Sequence, residues 1–153
     1  MSPDRLLRTW RSLAGRPGGR WLFARLLGWF VPYTGSIGAR VESLEPGSVT
    51  VSLRDRRAVR NHLGSVHAIA LANLAEVTSG LAMLSGIGPG VRGIPTSIQI
   101  DFVRKARGRL LATSRVTPPP VTEPVDADVT AQITNANGET VATAVVTWRL
   151  SPV

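Results

Sequence analysis

The feature that most restricts the fold is an apolar segment in the middle of the chain, AIALANLAEVTSGLAML at residues 68–84. On a period of 3.6 residues its apolar side chains cover most of a helix circumference. A helix that is apolar on nearly all sides is stable only when other elements cover it on nearly all sides. The segment therefore predicts a central helix, from about Ala68 to Leu84, surrounded by the rest of the domain.

Alternating apolar and polar residues on both sides of this helix predict strands. Residues 36–55 alternate in two runs separated by a Glu-Pro-Gly turn, and four further runs follow the helix. NANGE at 135–139 is typical of a hairpin turn, whereas the glycine-rich residues 85–93 are predicted to be a connection. We expect an α+β domain in which six antiparallel strands form a curved sheet around the central helix.

An N-terminal helical extension, residues 1–34, is predicted to precede the main domain, residues 35–153. Two helices are expected at residues 3–14 and 20–31, separated by GRPGG, and Pro32 is expected to end the second. Each helix has one predicted apolar face. The residues of the two faces are Leu6, Leu7, Trp10 and Leu13, then Leu22, Phe23, Leu26, Leu27 and Phe30.

Arginines interrupt the apolar residues throughout this extension, which argues against a signal peptide or a membrane-spanning helix at residues 1–35. Two interpretations remain open. The helices pack on the domain, or they form a basic, tryptophan-bearing surface that rests on a membrane. We expect a cytoplasmic protein in either case.

The composition limits the chemistry. The formal net charge is +8 and the pI is about 11.6, which favours anionic partners such as nucleic acid, a membrane or a phosphorylated small molecule. The chain has no cysteine, which excludes disulfides and thiolate nucleophiles, and its 2 histidines make a protein-only zinc site improbable.

Glu76 is the unexpected residue of the central helix. Burying a charged group costs roughly several kcal/mol unless the group is paired with an opposite charge or neutralised by protonation. Asn73 lies three residues earlier and shares its face. Either Glu76 is solvated or paired with an arginine, or it is a carboxylate in a cleft, where burial raises its pKa and makes it a better general base.

The segment before the helix, NHLGSVHA, adds three residues at fixed spacing: Asn61, Gly64 and His67. Gly64 suits a tight bend. The residues after His67 open the helix, so their backbone N–H groups lack intrahelical acceptors and can stabilise a developing oxyanion. Together with Glu76, these residues indicate an acyl-transfer site.

The pattern N61-x-x-G64-x-V66-H67-A68, followed by E76, resembles the hotdog-fold acyl-CoA thioesterases, in particular the phenylacetate-pathway type. The resemblance covers roughly residues 36–150. PYTGSIGARV, NHLGSVHA and KARG are most similar to a poorly characterised thioesterase-like subgroup. It implies a hotdog fold and hydrolysis of an acyl-CoA, with coenzyme A as part of the substrate and no cofactor.

The resemblance also implies roles for individual residues. Glu76 acts as general base on water or as nucleophile, and the Ala68 N–H holds the carbonyl oxygen. Asn61 orients the water or the thioester, and His67 fixes the loop. In hotdog dimers the loop of one subunit faces the helix carboxylate of the other, so we expect a homodimer or a dimer of dimers.

The chain departs from the family pattern directly after the histidine, where Ala68 and Ile69 replace two glycines. This narrows the acyl pocket, and it leaves a second interpretation open: a non-catalytic hotdog protein that binds acyl-CoA or an acyl chain. A serine or threonine of the following strand is expected to contact the substrate, with Thr96 and Ser97 as candidates, and Gly64 and Asn73 are expected to line the same site.

A basic cluster follows at residues 103–109, VRKARGR. It is either a solvated turn or a cradle for the phosphates of coenzyme A. Nucleic acid is disfavoured because only Phe102 is near enough for stacking. The expected coenzyme A contacts are Arg104, Lys105 and Arg107, with Arg109 beside them.

Overall fold

The structure is a computed structural model that describes residues 2–153. Three helices precede the first strand, and one long helix separates the first two strands from the last four. The elements are α1 (Pro3–Ala14), α2 (Gly19–Phe30), α3 (Pro32–Ser36), β1 (Arg40–Glu45), β2 (Ser48–Leu53), α4 (Ala68–Gly86), β3 (Val91–Phe102), β4 (Leu110–Arg115), β5 (Val125–Thr134) and β6 (Thr140–Pro152), with a short 3-10 turn at Arg57–Val59.

The six strands form one antiparallel sheet in the order β1-β2-β4-β5-β6-β3. The sheet curves around α4, which contacts every one of its strands. The predicted architecture is therefore confirmed. The curvature of the sheet buries the apolar surface of α4, because an open flat sheet would cover only one side of the helix.

α4 is buried over most of its circumference, as its composition predicts. The length of α4 and its mean hydropathy of 1.4 would allow it to cross a membrane. However, 72% of the 18-residue stretch with this hydropathy is buried inside the protein. This is the pattern of a core helix. Leu74, Ala75 and Met83 are completely inaccessible to solvent, so the helix is the centre of the core.

The N-terminal helices pack on the same core as the sheet. Leu6, Trp10 and Phe23 are buried in one cluster with residues of α4 and the strands, and the rings of Trp10 and Phe23 meet edge to face at 5.1 Å. The packing interpretation is thereby confirmed for α1. The domain boundary between residues 34 and 35 stays a prediction.

The predicted apolar face of α2 is wrong in part. Phe23 is buried and Leu27 is partly buried, but Leu22, Leu26 and Phe30 are exposed. α1, α3 and β1 pack against α2, and together they leave these three side chains in contact with solvent.

The chain after α2 also differs from the prediction. α2 ends at Phe30, before Pro32, as predicted, but Pro32 also begins the short helix α3, which the sequence did not predict. Proline is well tolerated in a first helical turn. The turn between α2 and α3 brings two glycines together, since a Cβ on Gly35 would stand 2.7 Å from the Gly28 Cα. Only glycine at both positions allows this approach.

β3 begins at Val91 and not at Ile94, so residues 91–93 of the predicted connection belong to the strand. Its pairing with β6 shifts register between Pro95 and Ser97, a position where proline is compatible with a ladder. β3 is an edge strand, and the exposed side chains along it include Ile94, Ile98 and Phe102.

We predict that Gly35→Ala destabilises the protein whereas Gly88→Ala does not. The methyl group at position 35 would clash with backbone that no side-chain rotation can move, whereas nothing lies within 4 Å of one at position 88. The expected loss is about 1–3 kcal/mol in the free energy of unfolding. Urea unfolding followed by circular dichroism measures it, and equal stability of the two variants would contradict the packing described here.

Candidate active site on the central helix

The loop before α4 is held by the side chain of Asn61. Its Oδ1 accepts hydrogen bonds from the backbone N–H of Leu63 at 3.0 Å and from the N–H and hydroxyl of Ser65, both at 3.2 Å. Gly64 completes the turn with a φ of 68°, a conformation that other residues rarely adopt. The oxygen of Asn61 is therefore occupied by the loop, and its Nδ2 is the group left to donate outward.

His67 caps α4. Its Nδ1 accepts a hydrogen bond from the Ile69 N–H at 3.1 Å, and its own N–H donates to the Val59 carbonyl at 2.8 Å. A ring nitrogen that accepts is unprotonated, so in the neutral imidazole the proton is on Nε2. The N–H of Ala68, at the first position of the helix, has no acceptor among residues 2–153. It is the free donor that the sequence predicts there.

Glu76 lies two turns further along α4. Its carboxylate has no hydrogen bond and no ion pair among residues 2–153, and burial raises its pKa above the ordinary value of a glutamate. The alternative of an arginine partner within the chain is thereby excluded for the described residues. The side chain is half-buried and not fully enclosed, so the carboxyl group remains accessible from one side.

Trp148 and Gly80 form part of the surroundings of Glu76 that sequence reasoning missed. A Cβ on Gly80 would stand 3.1 Å from the Trp148 ring and 3.9 Å from Glu76 Oε1, and one on Gly93 of β3 would stand 3.4 Å from the same ring. The indole thus lies between α4 and β3. Gly80 follows Glu76 by one helical turn, which is the only signal in the sequence for this contact.

Glu76 and the helix N-terminus lie far apart within one chain. Nine residues at 1.5 Å each separate Glu76 from His67 along the axis, about 13 Å. A glutamate side chain bridges only part of that distance. One small carbonyl group therefore cannot contact both the Ala68 N–H and the Glu76 carboxylate of the same subunit.

The other polar candidates on α4 and β3 differ in their hydrogen-bond partners. Asn73 is 7% exposed, its Nδ2 donates to the Tyr33 carbonyl at 3.2 Å, and its buried Oδ1 has no donor among residues 2–153. The hydroxyl of Thr96 donates to the Thr147 carbonyl at 3.2 Å. Ser97, next to it on the edge strand, has no such bond in the described chain and is exposed.

The arginines of the basic cluster contact three different parts of the chain. Arg104 pairs with Glu139 at 3.7 Å and Arg109 with Glu42 at 2.7 Å. Only Arg107 reaches the Asn61 loop, where its guanidinium donates to the Leu63 carbonyl at 3.5 Å.

The backbone links the same two segments, because the Val66 N–H donates to the Ala106 carbonyl at 2.8 Å. Lys105 directly precedes this contact, and it is exposed. Lys105 and Arg107 are thus the members of the cluster that flank the loop.

A cavity of about 1240 Å³ lies elsewhere, between α2, α3 and the β1–β2 hairpin. From α4 only Val77 reaches it, so it is separate from Glu76. Two carboxylates in its wall are held by arginines. The hydrogen bond from Arg60 lowers the pKa of Asp55, and hydrogen bonds from Ser52 and two arginines outweigh the effect of burial and lower the pKa of Glu42. The basic loop RDRRAVR, residues 54–60, supplies three of the six arginines that line the cavity.

Among residues 2–153 no group of three or more His, Asp or Glu side chains could hold a metal ion. The site described here thus consists of one carboxylate, a capped helix N-terminus and a loop amide.

Comparison with known structures supports the fold. A structural-genomics protein, APC5556, is 28% identical, with a TM-score of 0.83 over 99% of both chains. A Pseudomonas aeruginosa protein of unknown function, PA5026, described as a probable thioesterase, is 24% identical, with a TM-score of 0.78 over 85% of this chain and 93% of that one. A thioesterase family protein from Silicibacter pomeroyi is 22% identical, with a TM-score of 0.72 over 85% and 96%.

No curated protein matches the chain significantly. Residues 19–150 match the family described as a domain of unknown function, DUF4442, which spans α2 through nearly all of β6. The curved six-stranded sheet around a central helix is the hotdog fold that the resemblance implied. The chain therefore belongs to the DUF4442 family, and its fold is the hotdog fold.

Proposed function

We propose that this protein hydrolyses an acyl-CoA thioester to a free acid and coenzyme A. The observation that carries the proposal is Glu76: a half-buried, unpaired carboxylate with a raised pKa on the central helix of a hotdog fold. The names of the similar solved structures, a probable thioesterase and a thioesterase family protein, support the same reaction class.

The chemistry follows from the groups available. Glu76 takes a proton from a water molecule as the water oxygen attacks the thioester carbonyl carbon. The resulting oxyanion accepts a hydrogen bond from the Ala68 N–H, at the positive end of the α4 dipole. The intermediate then collapses, the C–S bond breaks, and the sulfur leaves as the thiol of coenzyme A with the proton returned by Glu76.

The loop residues position the substrate in this proposal. The Nδ2 of Asn61 is free to donate to the water or to the thioester, because the loop occupies only its Oδ1. His67 acts indirectly, since its Nδ1 fixes the first turn of α4 and hence the direction of the Ala68 N–H. Gly64 supplies the bend, and Ser97 offers a free hydroxyl from the edge strand.

Coenzyme A phosphates are expected at the outer side of the loop. Lys105 and Arg107 flank it, and neither forms an ion pair among residues 2–153, although Arg107 is close enough to Asp55 to help lower the pKa of that carboxyl group. Arg104 and Arg109 contribute less in this proposal because each already has an acidic partner.

The proposed site requires two copies of the chain. The distance between Glu76 and the Ala68 N–H within one subunit is too large for one carbonyl group, so the loop and helix N-terminus of one copy must face Glu76 of another. β3 is the natural contact, because it is an unpaired edge with exposed Ile98 and Phe102. A homodimer, or a dimer of such dimers, follows.

A specific contact favours a second candidate function, binding of acyl-CoA or an acyl chain without hydrolysis. The N–H of Ile69 is taken by His67 Nδ1, and the Ile69 side chain is 57% exposed at the entrance of the helix. The oxyanion then has fewer donors and less space than two glycines would provide.

The first prediction concerns Glu76 as base. Glu76→Gln should lower kcat/KM for acyl-CoA hydrolysis by about 10²–10⁴-fold, measured by thiol release over short, long and aromatic acyl chains. The wild-type rate should rise with pH through the raised pKa of Glu76, since only the carboxylate is a base. Glu123→Gln, at an exposed carboxylate, is the control and should keep full activity.

The same variants separate loss of chemistry from loss of fold. A pKa raised by folding means that the charge of Glu76 destabilises the protein above that pKa. Glu76→Gln should therefore melt at a higher temperature than the wild type at pH 8. The gain should shrink as the pH falls through the folded-state pKa and vanish below the unfolded value of about 4.3. Full activity in Glu76→Gln, or no turnover of any substrate by the wild type, would refute the hydrolase proposal.

The second prediction tests the shared site. Asn61→Ala and Glu76→Ala should each be inactive alone, and unfolding and refolding the two together should restore about a quarter of wild-type activity, since half of the dimers then carry one intact site. Two Glu76→Ala preparations mixed in the same way are the control. No recovery, although mixed dimers form, would place the whole site within one subunit.

The third prediction separates the second candidate from the first. A binding protein should show a higher Tm with a non-hydrolysable acyl-CoA analogue while releasing no thiol from the matching thioester. Ile69→Gly should then enlarge the entrance and introduce measurable turnover. If the wild type shows no Tm shift with any acyl-CoA analogue, binding is excluded as well.

A further inference from the structure

We propose that helices α2 and α3 dock this protein onto an anionic lipid bilayer. The observation that leads to the proposal is an apolar surface that remains exposed among residues 2–153, here called the α2 surface. Seven large apolar or aromatic side chains on it are exposed: Trp21, Leu22, Leu26, Trp29, Phe30, Val31 and Tyr33.

The pattern of the α2 surface is that of an amphipathic helix turned outward. Leu22, Leu26 and Trp29 follow one another at spacings of four and three residues and so share one face. Phe23 lies about 100° further round the helix than Leu22 and is buried in the same cluster as residues of α1 and the sheet. α2 therefore has apolar residues on two sides, and the domain uses only one of them.

The aromatic residues fit the interfacial region of a bilayer better than they fit water. Trp29 is 75% exposed and Tyr33 is 68% exposed. Amphipathic rings of this kind are enriched at the level of lipid head groups, where the ring leaves water and its polar edge stays hydrated.

The positive charge of the N-terminal segment favours anionic lipids. Residues 2–36 contain 6 arginines and 1 aspartate, a formal charge of +5. Two of these arginines stack on aromatic rings at the surface itself, Arg25 over Trp21 at 5.1 Å and Arg5 over Phe30 at 5.9 Å. Each cation is thus held beside an apolar group, the arrangement that places a guanidinium at the phosphates while the ring enters the head-group layer.

The neighbouring cavity extends the positive surface. Trp21, Arg25 and Trp29 line its wall, so it opens at the border of the α2 surface. Arg40 and Arg54 line it as well, and neither forms an ion pair among residues 2–153. A bilayer with anionic head groups would neutralise these charges together with those of α1 and α2.

A second copy of the chain is a poorer occupant of this surface. A two-fold contact through α2 would bring Arg25 and its neighbours against the same residues of the other copy, and like charges at a buried contact oppose association. The edge strand β3 offers an alternative for self-association, because Ile94, Ile98 and Phe102 are exposed on it and its two charged residues have opposite signs.

Co-sedimentation of the full-length protein with vesicles tests the proposal. At low ionic strength, vesicles of phosphatidylcholine and phosphatidylglycerol should carry the protein into the pellet, whereas phosphatidylcholine alone should not. Added salt should release it, because screening weakens the attraction. Trp21 and Trp29 should leave water on binding, so the tryptophan emission should shift to the blue with the anionic vesicles only.

Variants locate the contact. Arg25→Gln should weaken the partition coefficient by about fivefold, the effect of one cation near an anionic surface, and Trp29→Ser should weaken it by roughly tenfold. The matched controls are Arg115→Gln on β4 and Val153→Ser, where the side chain is 89% exposed. Both controls should bind as the wild type does.

Three results would overturn the proposal. The wild type remains in the supernatant with anionic vesicles at low salt, or Trp29→Ser and Val153→Ser bind equally well. The third is that Trp29→Ser dissociates an oligomer in solution without vesicles, which would make the α2 surface a contact between copies. Acyl-CoA hydrolysis is measured without vesicles, so these outcomes leave the proposed function separately testable.

Discussion

The burial of α4 is the constraint on which the rest of the fold depends. The helix has apolar residues on nearly every side, so a single sheet face cannot satisfy it, and the six strands curve around it. The curvature stops short of closure because β1 and β3 remain separate edges. The N-terminal helices pack beside β1 and against α4, and Asn73 joins α4 to this extension through the Tyr33 carbonyl. The half-exposed side of α4 is where Glu76 lies.

This geometry explains why one glutamate can be both costly and useful. A carboxylate on a wholly exposed helix would have an ordinary pKa, and one on a wholly enclosed helix would remain protonated at neutral pH. Glu76 has an intermediate position, with the Trp148 ring near one side and access from the other. Since no cation among residues 2–153 pairs with it, the free energy spent on its burial stabilises nothing within the monomer. A functional role is the physical reason to retain such a group.

The fold could be predicted from the sequence because each of its signals is local. The all-round apolar helix, the alternating strands and the Asn-Gly turn each identify their own element, and α4 and five of the six strands lie where these signals put them. β3 was misjudged at its start because glycines mask the alternation at residues 91–93. The outward face of α2 could not be predicted, since periodicity shows that a face is apolar but not whether another element covers it.

The candidate site was predictable in its residues but not in its contacts. Spacing identified Asn61, His67 and Glu76. It could not show that the oxygen of Asn61 holds the loop, or that His67 uses Nδ1 to cap the helix, because both depend on the path of the backbone between residues 61 and 67. The contacts of the basic cluster could not be predicted for the same reason. Arg104 and Arg109 pair with carboxylates that are distant in sequence, whereas Lys105 and Arg107 flank the loop, and only the folded structure shows this difference.

The two uncovered apolar surfaces differ in charge, and this difference assigns them different partners. β3 carries one arginine and one aspartate along its length, Arg92 and Asp101, so a second copy can approach it without electrostatic cost. The α2 surface lies in a segment with a formal charge of +5, so the α2 surfaces of two copies would repel each other. An edge strand also offers backbone groups that can pair with another strand, whereas the backbone of a helix is already hydrogen-bonded within the helix. We therefore propose that pairing between copies uses β3, which would leave the basic helix to face an anionic surface.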